Sequence, residues 1–193
     1  MFQLLSLLLD DRPRTVIADE LVQPLLAASA RREMRTHADP RRAGAHVTRV
    51  FVLDDQEFVR SSLKEMLEAD GEIHVVGEAG TVEDARSSIP LTRPDVAVLD
   101  VRLPDGDGVE VCRDLRSQHP EVQCVMLSAF ADDEVVDRSI LAGASGYVLK
   151  QLKHSNILNA VRLVARGEVL FDHSRRARVL DRLDDGPGRE HGV

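Results

Sequence analysis

Short apolar runs and amphipathic stretches alternate along residues 48–167. Arg49–Leu53, Ile73–Val76, Asp95–Leu99, Val122–Leu127 and Gly146–Leu149 are rich in Val, Leu and Ile and predict five strands. Phe58, Leu63, Met66 and Leu67 recur at helical spacing and predict a helix with one apolar face. Val82–Ile89, with Thr81 placed to cap it, Val109–Ser117, Glu134–Ala142 and Ile157–Arg166 predict four more helices. The strands are near-continuous in apolar character, as in a parallel sheet covered on both faces. Five strands alternating with five helices predict a doubly wound α/β domain of the flavodoxin-like (βα)5 kind, strand order 2-1-3-4-5.

Four of these runs end on polar residues: Leu53-Asp54-Asp55, Val98-Leu99-Asp100, Leu127-Ser128-Ala129 and Val148-Leu149-Lys150. Open α/β sheets bind ligands just outside the carboxyl ends of their strands. In the order 2-1-3-4-5 the first and third strands are neighbours, so Asp54, Asp55 and Asp100 converge. Carboxylates that close repel one another unless a cation sits among them. Mg²⁺ suits an all-oxygen site that keeps several waters. A hydroxyl at Ser128 and an ammonium at Lys150 suit a phosphoryl group. An isolated Asp-Asp pair would read as a loop start or a helix cap; the company of Asp100, Ser128 and Lys150 argues against that.

Composition narrows the picture. Hydrophobic content of 43% with only 3% aromatic residues means an aliphatic core. The net charge of −8 disfavours a protein that works by coating nucleic acid or anionic membrane. Cys112 and Cys124 lack metal-ligand spacing and read as ordinary reduced thiols. The Leu-rich start, Phe2–Leu9, is too short to span a bilayer and lacks a cationic flank before it. The expected location is the cytoplasm.

The flanks differ from the centre. Residues 1–46 mix Leu-rich, Ala/Arg-rich and Pro/Arg/Gly segments and are expected to be a poorly ordered, dispensable extension. Leu9-Asp10-Asp11 echoes Leu53-Asp54-Asp55 by chance. Valine can be encoded by GTG, a bacterial start codon, so Val47 is a candidate start; the alternative is an extension that docks on the domain. Residues 168–193 are expected to form a linker helix over Asp172–Leu183 and a disordered tail. Its Arg175, Arg176, Arg178 and Arg182, interleaved with aspartates, read as a solvated helix face.

Residues 48–167 resemble the receiver domain of two-component response regulators, with wording closest to the NarL/FixJ-type subfamily. The resemblance rests on Val52-Leu53-Asp54-Asp55-Gln56-Glu57, on Asp95 through Pro104, on Leu127-Ser128-Ala129 and on Ala142 through Lys150. It implies a phosphorelay protein in which Asp100 is the phosphoacceptor, attacking a phosphohistidine on a partner sensor kinase to give an aspartyl phosphate. It also implies Mg²⁺ held by Asp54, Asp55, Asp100 and the backbone carbonyl of Arg102. Lys150 and Ser128 would bind phosphoryl oxygens, and small Ala129 would leave room for the group. Pro104, Gly106 and Gly108 would shape the loop after Asp100 through permissive backbone. Tyr147 would be the switch aromatic, turning inward as Ser128 moves, and the α4-β5-α5 face (fourth helix, fifth strand, fifth helix) would change and support a homodimer. Gln151 replaces the proline common after this lysine, and a trans bond is expected there.

Relatives of that subfamily carry a helix-turn-helix output domain. The 26 residues after Gly167 are too few for one, so the expectation is a stand-alone receiver or a truncated relative of a transcription regulator, with any DNA role running through a partner. Two other classes compete. A metal-dependent phosphatase with an aspartate nucleophile would place an acid where Arg102 stands. An interaction module with a dead site would not keep all five site positions. The expected protein is a signalling domain and not an enzyme acting on other substrates.

Overall fold

The structure, a computed structural model, describes residues 47–69, 71–151 and 154–184. In chain order it contains β1 (Thr48–Leu53), α1 (Glu57–Glu68), β2 (Ile73–Ala79), α2 (Val82–Thr92), β3 (Val96–Asp100), α3 (Gly108–Gln118), β4 (Gln123–Ser128), α4 (Asp133–Leu141), β5 (Gly146–Leu149), α5 (His154–Ala165) and α6 (His173–Asp184). A small antiparallel ribbon, Arg102–Leu103 with Gly106–Asp107, lies between β3 and α3. The expectations for residues 1–46 and for the tail after Asp184 lie outside the described residues.

The five long strands form one parallel sheet in the order β2-β1-β3-β4-β5. This is the predicted flavodoxin-like arrangement. Alternation along each strand sends side chains to two separate cores. From β1, Phe51 and Leu53 pack with Ala85 and Ile89 of α2, Val111 and Leu115 of α3, and Val136 and Ile140 of α4. Val50 and Val52 pack on the other face with Leu63 and Leu67 of α1 and Ile157, Val161 and Val164 of α5. Burial on both faces explains why the central strands carry no polar alternation.

Three departures from the sequence pattern have physical causes. β2 runs on to Ala79 past Gly77, where a register shift opposite Val50/Phe51 occurs. A Cβ on Gly77 would come within 2.8 Å of the Phe51 ring, so the glycine leaves space for that ring. Pro90 does not end α2; it sits in the last turn, and the helix stops at Arg93. Arg93 adopts a left-handed φ of 45° and its N–H closes on the Ile89 carbonyl. Third, α6 does not present all its arginines to solvent. Arg175 is buried, and α6 packs on α4.

Candidate functional site

Register brings the polar strand ends to one level. Leu53 pairs with Leu99, Asp100 with Leu127 and Ser128 with Leu149. Asp54, Asp100, Ser128 and Lys150 therefore emerge side by side from four neighbouring strands. The Asp54 N–H donates to the Ala79 carbonyl at 3.1 Å and the Lys150 N–H to the Ser128 carbonyl at 2.8 Å, which continues the ladder past the strands.

Asp54 is fully buried while Asp55 beside it is exposed. One Asp54 oxygen, Oδ1, accepts the Gln56 N–H at 3.0 Å. The other, Oδ2, lies 2.6 Å from Lys150 Nζ with no donor aligned on it, so that contact is electrostatic. Lys150 Nζ also donates to Asp100 Oδ2 at 2.7 Å. Asp100 Oδ1 accepts the Arg102 N–H at 3.4 Å. Carboxylate oxygens of Asp54, Asp55 and Asp100 lie within 4.8 Å of one another.

One ammonium thus serves two buried carboxylates. Burial raises the Asp100 pKa above its ordinary value, the Asp54 charge adds to this, and Lys150 opposes it. Burial acts to lower the Lys150 pKa, but Asp100 and Asp54 outweigh it and the net shift is upward. Lys150 thus keeps its proton, held by the two carboxylates against burial, while burial makes Asp100 ionise less readily. An all-oxygen cluster with a buried, under-partnered Asp54 oxygen fits a hard divalent cation.

The loop after Asp100 is held from three sides. Its turn at Pro104-Asp105 joins the two ribbon strands. The Asp105 carboxylate accepts the Val82 and Glu83 N–H groups at the start of α2. Asp107 caps α3 by accepting the Val109 N–H at 2.8 Å and pairs with Arg138 of α4. The glycines here act through space and not through turning. Among the described residues, left-handed glycines are Gly71, Gly143 and Gly167, not Gly106 or Gly108. A Cβ on Gly108 would stand 1.8 Å from the Asp100 carbonyl oxygen.

Ser128 Oγ accepts the Phe130 N–H at 3.3 Å, and Tyr147 donates its hydroxyl to the Phe130 carbonyl at 2.9 Å. Tyr147 is already buried in this state, where the resemblance implied that it turns inward only as Ser128 moves. The Phe130 ring lies 61% exposed with the Arg102 guanidinium 5.9 Å above it. The Lys150–Gln151 peptide is trans, as expected, and the Gln151 amide donates to the Ala129 carbonyl at 3.0 Å. Phe130, Asp105 and Asp107 went unremarked as site residues in the sequence. For Asp107 a signal existed, since an aspartate directly before the periodic run of α3 is a helix N-cap pattern. Phe130 left none, because its backbone makes the contacts.

Residues 50–162 match the response regulator receiver domain family. The chain is 48% identical over 137 residues to the DNA-binding transcriptional activator DevR/DosR of Mycobacterium tuberculosis, an overlap covering 71% of this chain and 63% of that protein. It is 36% identical over 132 residues to the transcriptional regulatory protein YxjL of Bacillus subtilis, covering 68% and 61% of the two chains. Among solved structures, the signal receiver domain of the response regulator NarL from M. tuberculosis superposes with a TM-score of 0.60 at 34% identity, over 63% of this chain and 98% of that one. The fold and site define a two-component signalling domain. The chain belongs to the response regulator receiver family, and the matched part spans less than two thirds of the length of these two curated relatives. Among the described residues no helix is long and apolar enough to cross a membrane.

Proposed function

We propose that Asp100 accepts a phosphoryl group from the phosphohistidine of a sensor histidine kinase in the cytoplasm. The observation that carries this is the Lys150 ammonium held between Asp54 and Asp100 within a triad of carboxylates. An Asp100 carboxylate oxygen forms the new bond to phosphorus, and the bond from phosphorus to the histidine nitrogen breaks with its electron pair leaving on the ring. Lys150 is placed to pair with a phosphoryl oxygen, and Ser128 to donate its hydroxyl to another. Asp54, Asp55, Asp100 and the Arg102 carbonyl would hold Mg²⁺, which when bound neutralises charge on the moving group. Positioning by these residues supplies the rest. The chemistry is transfer to the chain itself and its later loss, so the protein is a phosphoprotein switch and not an enzyme with a separate substrate.

The output is control of transcription, as the names of its relatives state of them, reached through the surface that responds to Asp100. A homodimer through α4, β5 and α5 is one such route, and it requires α6 to leave α4 first. With phosphoramidate and Mg²⁺, intact mass should show one added phosphoryl group on the wild type and none on Asp100→Asn. Equal labelling of that variant would place the acceptor elsewhere.

A further inference from the structure

The outer side of α4 is covered by the chain's own α6. Arg175 reaches it at three points: Nε donates to Asp137 Oδ1 at 2.8 Å, Nη1 to Asp133 Oδ1 at 2.6 Å and Nη2 to the Asp133 carbonyl at 2.7 Å. The residue is 8% exposed. A planar guanidinium fork matched to fixed acceptors is directional, so small displacements degrade all three bonds together. Phe171 and Val179 bury alongside, in the core cluster that holds Val136, Ile140 and Tyr147. The segment turns back after Gly167, whose φ is +85°, and Leu170 fixes the return by donating to the Ser145 carbonyl at 2.7 Å.

The clamp lies only five residues along the chain from Ser128. Between them, Phe130 is tied to the Ser128 hydroxyl through its N–H and to the Tyr147 hydroxyl through its carbonyl. Asp132 caps α4 by accepting the Glu134 N–H at 3.0 Å. Asp133, which follows, offers both its carboxylate and its carbonyl to Arg175. One short segment therefore joins the Ser128 hydroxyl, beside the proposed phosphoacceptor, to the groups that hold α6.

We propose that α6 is a latch over α4 and that phosphorylation of Asp100 loosens it; the inference rests on Asp100 being the phosphoacceptor. When Ser128 turns its hydroxyl toward a phosphoryl oxygen, it withdraws that oxygen from the Phe130 N–H. Residues 129–133 follow, and Asp133 shifts against Arg175. A buried guanidinium that loses alignment with its partners is far less tolerable than a loosened surface pair. Of the helices, α6 is the one that can leave without unmaking the sheet, since its main contacts are with α4. Its departure exposes the α4 side that a partner or second copy would need. Coupling of this kind is reciprocal: whatever weakens the latch also favours phosphorylation.

The test uses the full chain with phosphoramidate and Mg²⁺, reading phosphorylation by intact mass and amide exchange of residues 173–184 in the same samples. We expect exchange in α6 to rise at least tenfold in the phosphorylated wild type. Arg175→Ala should show that fast exchange without phosphorylation, with β1 and β3 still protected, and should phosphorylate severalfold faster. Asp133→Asn should fall between, and Arg176→Ala, an exposed neighbour, should match the wild type. Full phosphorylation with α6 still protected would overturn the latch and leave the phosphoacceptor reading standing. No phosphoryl uptake would overturn that reading and the coupling with it. Unchanged α6 protection in Arg175→Ala would also sink the latch.

Discussion

A Cβ on Gly108 would stand 1.8 Å from the Asp100 carbonyl oxygen, far inside van der Waals contact, and the Gly108 N–H is meanwhile bonded to the Val101 carbonyl at 2.9 Å. The backbone of β3 cannot retreat without moving the Asp100 carboxylate. Gly108→Ala should therefore cost about 1–3 kcal/mol, the usual range for overpacking, and should suppress phosphoryl uptake at Asp100 even where the protein stays folded. Thermal melts and intact mass check the two halves; a stable, normally labelled variant would refute the crowding argument. Lys150 makes a different demand. Replacing it with Met leaves the buried Asp54 and Asp100 carboxylates facing each other with no cation between them. Lys150→Met should lose about 1–3 kcal/mol in metal-free buffer, since buried acceptors are left unpaired. Millimolar Mg²⁺ should raise its melting temperature more than that of the wild type. Equal Mg²⁺ responses would show that the carboxylates do not govern stability there.

At the scale of elements, capping residues couple the site to its surroundings. Asp107 holds the first turn of α3 and reaches Arg138 on α4. Asp107→Ala should cost about 0.5–2 kcal/mol, as loss of an N-cap usually does, while Arg138→Ala, whose half-buried pair is still partly screened by solvent, should cost less. Denaturant titrations of both variants would decide it, and a larger loss for Arg138→Ala would reverse the assignment of roles. The central strands were legible because burial on both faces makes them plain apolar runs, as in Val96–Leu99 and Val125–Leu127. The convergence of Asp54, Asp100, Ser128 and Lys150 was legible because these residues stand where those runs stop. β2 was read short because Gly77 and Glu78 interrupt its apolar character, although the backbone pairing continues. The second helix runs on past Ile89, where the expected span ends, with Pro90 accommodated in its last turn. Arg175 misled most. Its charge and spacing match its exposed neighbours, and only the placement of Asp133 and Asp137 on another helix makes it a buried anchor.

Across the whole molecule, the acidic site has no local version. Asp54 and Lys150 lie 2.6 Å apart in space yet stand at the two ends of the parallel sheet in sequence. β1 pairs directly with β3, so the chain must cross over before Asp54 meets Asp100, and Lys150 arrives last on β5. β5 is an edge strand of four residues, paired only with β4. The parallel pairing described above therefore has a kinetic meaning. Non-local strand contacts form late because loop closure must precede any gain from pairing. A refolding chain can bury much of its apolar surface around β1, β2 and β3 while Asp54 and Asp100 still lack their cation. In a refolding time course, capacity to take up a phosphoryl group should appear with the slowest phase, after most of the helical signal has returned. Capacity that rose together with the earliest helical signal would contradict this order. Competence for signalling would then mark the completed fold, withheld from every partly assembled chain by the distance its charges must travel.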